Sequence, residues 1–232
     1  MTEYPKTKSQ ESLIGEVMLL SLLSRIIFNY PDNEERTWLQ SLINEDVFSD
    51  APFAAEKDET KEGLLLLQNW GKNGLSNEVF EHMQTDYTRM FIGPGKVTVP
   101  PWESVYFGDD KLVFQEQTLG VRNWYRRFGL EAEKLHREPD DHIGLEMSFI
   151  SHLATLGIQA LNEQDKNRFE EILDAKSEFF KNHLGKWALR WCFLVKENAQ
   201  TDFYQGVAHL IHGAMSELSE VLDVKITKDP LL

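Results

Sequence analysis

The sequence predicts an all-α protein, a single globular multi-helix domain of about nine or ten helices. Two observations carry this. Segment after segment places apolar residues at helical spacing, and proline or glycine closes many of those segments. No stretch alternates apolar and polar residues for long enough to found a sheet.

Residues 12–30 open the chain with Leu13, Val17, Leu20 and Ile27 on one stripe and Leu19, Leu23 and Ile26 beside it. So broad an apolar face predicts a helix deep in the core, and Pro31 ends it. A second helix over 33–43 turns Trp38, Leu39 and Leu42 inward, and a turn with Pro52 follows. The third, over 60–70, carries Leu64, Leu65, Leu67 and Trp70 and closes at Gly71 and Gly74. The fourth, over 77–91, has Asn77 as its expected cap and Phe80, Met83, Tyr87, Met90 and Phe91 as its stripe. Residues 105–107 and 112–114 read as short extended pieces. Helices then follow over 114–128, 140–161, 165–182, 187–196 and 201–222. In the 114–128 segment Leu119, Val121, Trp124, Tyr125 and Phe128 are the apolar members.

Composition bounds the function. The chain has 232 residues, enough for one large core, and no low-complexity linker divides it, so one domain over 1–232 is expected. A formal net charge of −14 argues against a nucleic-acid binder, which needs a basic footprint, and against an anionic membrane surface. The one cysteine, Cys192, lies among Trp191, Phe193 and Leu194, which predicts a buried, inert thiol and excludes cysteine-rich metal sites. The first apolar helix contains Glu16 and Arg25 and is too interrupted for a signal segment or a membrane span, so the reading is cytoplasmic. Arg126-Arg127 sits inside a helix and is not an export signal.

Two stretches stand apart from ordinary packing. Tyr87, Met90 and Phe91 end a helix at Gly93-Pro94-Gly95, where glycine accepts a left-handed backbone and proline withholds a donor. A loop stiffened by Pro100-Pro101 then carries Trp102, Glu103, Val105 and Tyr106, large apolar surface for a connection. Further on, Glu138-Pro139-Asp140-Asp141-His142 opens a helix, with Asp140 or Asp141 as the expected cap.

Tests for chemistry mostly fail. Neither a phosphate-binding glycine motif nor a nucleophile elbow is present. A metal enzyme is the alternative reading, using His142 and Glu146, one turn apart, with His209 and His212 at i, i+3. Only one Glu-x-x-His occurs, Glu133 to His136, in a charged run that reads as solvated. Helical di-iron sites need two.

The two stretches together resemble the TorD/DmsD family of cytoplasmic chaperones that mature molybdenum-containing reductases. The resemblance is carried by Tyr87-Thr88-Arg89-Met90-Phe91-Ile92-Gly93-Pro94, by Pro100-Pro101-Trp102-Glu103-Ser104-Val105-Tyr106 and by Glu138-Pro139-Asp140-Asp141-His142. His183-Leu184 with Trp187, and Phe203-Tyr204, extend it across about 77–210. Tyr87 stands where some members have tryptophan, Met90 where some have leucine and Glu103 where some have glycine.

The resemblance implies an all-α fold, no turnover, no cofactor, and binding of the twin-arginine leader peptide of a molybdopterin-containing reductase before export. The implied leader-binding residues are Tyr87, Met90, Phe91, Pro101, Trp102, Asp141 and His142, with Glu103 added by its charge. A leader with paired arginines and an apolar run calls for an apolar groove with carboxylates at one end. Phe91, Trp102, Met90 and Pro101 are expected to line it, and Asp141 and Glu103 to face the guanidinium groups. His142 is expected to add pH sensitivity or an orienting hydrogen bond. Long helices on hinge loops leave monomer and domain-swapped dimer both open.

Overall fold

The computed structural model describes residues 6–72, 74–94, 97–107, 113, 115–131 and 138–226. Their regular elements are ten α-helices, one 3₁₀ turn and one π-turn. The first helix, α1 (Lys6–Phe28), buries the predicted Leu20, Leu23 and Ile27 and packs along α7 (Ile143–Glu163). Polar bonds pin that pairing: Ser24 Oγ donates to the Gly144 carbonyl at 2.8 Å, and the Ser21 and Ser151 hydroxyls meet at 2.8 Å. Glu16 of α1 is fully buried against Lys176 of α8 (Lys166–Asn182), with both carboxylate oxygens within 3.0 Å of the ammonium. An unpaired charge there would carry a desolvation penalty of several kcal/mol, so each partner requires the other.

The second close pairing is α3 (Asp58–Gly71) with α10 (Asp202–Val221). It is a backbone-to-backbone approach. A Cβ on Gly63 would lie 2.7 Å from the Gly206 carbonyl oxygen, and one on Gly213 would lie 2.1 Å from Thr60 Oγ1. Around these pairs sit α2 (Asn33–Asn44), the 3₁₀ turn Val47–Ser49, α4 (Asn77–Tyr87), α6 (Glu116–Arg127) and α9 (Leu184–Asn198). A single apolar cluster runs through them, with Trp187, Trp191, Phe179 and Phe203 among its largest fully buried members. Cys192 is buried within it, as expected, and burial pushes its thiol far above the ordinary value.

Local chemistry corrects several sequence expectations. Ser76, not Asn77, caps α4, accepting from the Val79 amide. The fourth helix does not run evenly to Phe91: after Tyr87 it widens into a π-turn, Thr88–Ile92, whose last bond is Gly93 N to Thr88 O at 2.7 Å. Gly93 then takes φ 83°, which stops the helix. Residues 104–107 are a helical turn, α5 (Ser104–Phe107), rather than an extended piece, while Leu112 and Phe114 fall outside the described residues. His142, not Asp140 or Asp141, caps α7, its Nδ1 accepting from the Gly144 amide at 3.1 Å. Leu65 and Leu119, read as apolar members of their helices, are more than half exposed. No helix among the described residues is long and apolar enough to cross a membrane.

Candidate functional site

The two motif stretches meet in space. Trp102 and His142 oppose each other in an isolated antiparallel bridge, made by Glu103 N to Asp141 O at 2.9 Å and Ile143 N to Pro101 O at 2.8 Å. The proline-stiffened loop and the start of α7 therefore form one rigid turn. Proline favours the local geometry: Pro101 keeps the residue before it, Pro100, out of the helical region, so the loop reaches the bridge extended. The Trp102 indole N–H donates to Glu138 Oε1 at 2.7 Å, which ties the aromatic side chain to the first residue of the second motif.

Beneath the bridge lies a set of buried acids. Asp141 is fully buried. Its Oδ2 accepts the Ser104 amide at 2.8 Å, thereby capping α5, and its Oδ1 accepts the Thr118 hydroxyl at 2.7 Å. Asp140 receives Arg122 through Nη2 at 2.6 Å and Nε at 3.0 Å, and its carbonyl accepts the Tyr125 hydroxyl. Glu103 Oε2 meets His183 Nδ1 at 2.9 Å at the junction of α8 and α9. Glu146, one turn into α7, is fully buried with only the Trp187 indole at 3.4 Å on Oε2. Burial, then the charges of Glu103 and Asp141, push the Glu146 carboxyl well above the usual range. Burial raises Glu103 as well, against the opposing pull of His183.

The remaining predicted residues lie on the same side but deeper. Tyr87 is buried, with its hydroxyl on the Ile27 carbonyl at 3.0 Å and its ring edge-on to Tyr30 and Phe91. Met90 is fully enclosed, and Phe91 stacks on Trp191. The loop is stitched to them by Val99 N to Met90 O at 2.9 Å. Thus Pro101, Trp102, Glu103, Asp141 and His142 are brought into one turn, and Tyr87, Met90 and Phe91 form the core wall behind it. Of the eight, Trp102 alone is only partly buried. Asp141 and Glu103, expected to face the leader's guanidinium groups, are both buried and bonded inward, because the turn needs acceptors for its own donors.

A groove of about 670 Å³ opens between Tyr30, the Glu81–Arg89 side of α4 and the π-turn, and Gly93, Pro94 and Thr98. The sequence reading missed this groove and also the Arg122, Thr118 and His183 contacts. Thr118 and Arg122 are four apart, hence on one helical face, which was the available signal.

The metal-enzyme alternative is not supported. His209 and His212 both bond Glu59 of α3, at 2.6 and 3.2 Å, with Lys196 on the same carboxylate. His142 and Glu146 belong instead to the turn. Among the described residues no group of three or more histidine, cysteine or acidic side chains is placed to hold a metal; Glu133 and His136 lie outside them.

The helical scaffold has a counterpart among solved structures. It matches the crystal structure of a candidate redox enzyme maturation protein from Archaeoglobus fulgidus with a TM-score of 0.50 at 20% identity, over 85% of this chain and 91% of the other, a likeness of fold. The family described as nitrate reductase delta subunit matches residues 50–192, more than half of the chain, and the chain belongs to that family. Among its relatives are the Tat proofreading chaperone DmsD of Salmonella typhimurium, 26% identical over 90% of this chain and 92% of the relative, and the chaperone protein TorD of Aliivibrio fischeri, 23% identical over 85% and 86%. These relatives are chaperones rather than enzymes.

Proposed function

We propose that the protein is a maturation chaperone that binds the twin-arginine leader peptide of a molybdopterin-containing reductase and holds it until the cofactor is in place. The observation that carries this reading is the bridge between Trp102 and His142, which turns two distant motifs into a single rigid surface. The relative named a Tat proofreading chaperone supports a client of the twin-arginine route, which this reading takes to be a reductase of the sulfoxide or amine-oxide type. In this reading Trp102 meets the apolar run of the leader, and Pro101 and His142 flank it. Asp141 and Glu103 hold the turn in shape from below, and Tyr87, Met90 and Phe91 give it a firm apolar backing. A preformed surface lowers the ordering cost of capturing a flexible peptide. A rigid indole in a polar rim is the kind of anchor on which peptide affinity concentrates.

The experiment is a calorimetric titration of a synthetic peptide carrying paired arginines and an apolar tail. Wild type is expected to bind it, and Trp102→Ala to lose at least about tenfold in affinity while keeping its helical content. Equal affinity in the two proteins rejects the site.

A further inference from the structure

A chaperone that reads an arginine pair must offer a guanidinium group free acceptors, and the acids near the Trp102 turn are each already engaged inside the protein. Asp141 is bonded on both oxygens, Asp140 holds Arg122, Glu103 faces His183 and Glu138 takes the Trp102 indole. Asp86, at the floor of the neighbouring helix, is fuller still, accepting from Arg89, the Gln200 amide, and the Thr201 amide and hydroxyl. A guanidinium reaching any of these would first break a buried bond inside the protein.

Glu81 differs. It is exposed on the wall of the 670 Å³ groove, and its carboxylate bonds to no described residue. Its neighbours in the groove also present acceptors. The Gln84 amide nitrogen is spent on the Pro31 carbonyl, which leaves the amide oxygen. The Thr85 and Thr88 hydroxyls donate back to the Glu81 and Gln84 carbonyls, leaving their lone pairs. Among the described lining residues the one cation, Arg89, is paired with Asp86. Across the groove the Tyr30 ring is 45% exposed.

Resting on the leader-binding reading above, we infer that this groove is the arginine-reading part of the leader site, with Glu81 receiving a guanidinium and Tyr30 supplying the ring on which it stacks. A carboxylate with surrounding acceptors and an open aromatic face suits a planar group with five donors. A lysine ammonium cannot engage both in the same way. The groove shares a loop with the Trp102 turn: Thr98, in its lining, stands four residues before Trp102, and the intervening Val99 amide donates to the Met90 carbonyl at 2.9 Å. An extended peptide can therefore set its arginines beside Tyr30 and its apolar run on Trp102. The excess of acids over bases in the whole chain steers such a peptide inward.

The test uses two synthetic peptides identical except that paired arginines in one are paired lysines in the other. Wild type is expected to prefer the arginine peptide by about tenfold. Glu81→Gln and Tyr30→Leu are each expected to reduce that preference to about twofold or less, chiefly by weakening the arginine peptide, with the thermal midpoint near wild type since both side chains reach solvent. If both variants keep the full arginine preference while Trp102→Ala weakens both peptides alike, the groove assignment is overturned and the leader reading stands. If wild type binds neither peptide, the leader reading fails and this inference goes with it.

Discussion

The Ser104 amide donates to Oδ2 of Asp141 at 2.8 Å, across 37 residues of chain, and neither group touches solvent. This bond starts the short helix α5 and, with Thr118 on the other oxygen, locks α6, the Trp102 turn and α7 together. An acid read from the motif as a leader contact is thus first a structural cap, and its effect on binding passes through the turn it holds.

Asp141→Ala therefore strands the Ser104 amide and the Thr118 hydroxyl without an acceptor. The expected loss is about 2–4 kcal/mol in urea unfolding, from two buried unsatisfied donors. Asp141→Asn keeps one acceptor oxygen and is expected to lose about half as much. Leader affinity should fall in the same order. A variant as stable as wild type would show that the carboxylate is not what holds the turn.

Glu146 predicts a pH dependence. In the unfolded chain its carboxyl ionises near the ordinary 4.5; in the folded chain burial moves ionisation to higher pH. Between the two the folded state binds more protons, so stability falls as pH rises from 4.5 through the folded value. Glu146→Gln removes this contribution. The variant is expected to gain on wild type as pH is raised and to match it most closely in acid. Glu103, shifted in the same direction by burial, leaves a shallower slope behind. Parallel stability curves for the two proteins would contradict an upward-shifted Glu146 carboxyl.

The Glu16–Lys176 pair joins α1 to α8 with both side chains 1% exposed. Lys176→Met is expected to destabilise by about 3–5 kcal/mol, because Glu16 stays buried without its partner. Glu16→Met with Lys176→Met is expected to recover most of that loss. Chemical unfolding of the single and double variants decides it, and a double variant worse than the single would refute the pairing argument.

Two glycines should behave oppositely. Gly213→Ala sets a Cβ 2.1 Å from Thr60 Oγ1 on the facing helix, and separating α3 from α10 is expected to cost about 1–3 kcal/mol. Gly157→Ala meets only Leu13 and Phe169 at 3.5 Å, ordinary contact, and gains helix propensity, so it is expected to be neutral or stabilising by up to about 1 kcal/mol. Thermal midpoints of the two variants measure the difference.

Much of the fold was legible because helix formation is local. Periodic apolar stripes marked α1 and α4, and the stripe residues Leu20 and Met83 are buried. Boundaries and caps were less legible. Ser76 and His142 cap where Asn77 and the aspartates were expected, since two adjacent polar residues compete and the winner depends on where the preceding chain arrives. Leu119 reads as an apolar member of its helix and is exposed, because one face of α6 turns away from the apolar cluster.

By itself the sequence determined the helical class, the placing of breaks at Pro31, Gly93 and Gly129, and the two motifs whose residue types announce a family. Tertiary structure alone decided what those motif residues touch. Trp102 and His142 are far apart in the chain, and no local spacing says that they bridge; nor does it say that Asp141 faces Ser104 while Glu81 faces open groove. The physical reason is the range of the forces. Backbone propensity acts over one helical turn, whereas the partner of a buried carboxylate is set by whichever donors the packed helices bring to it.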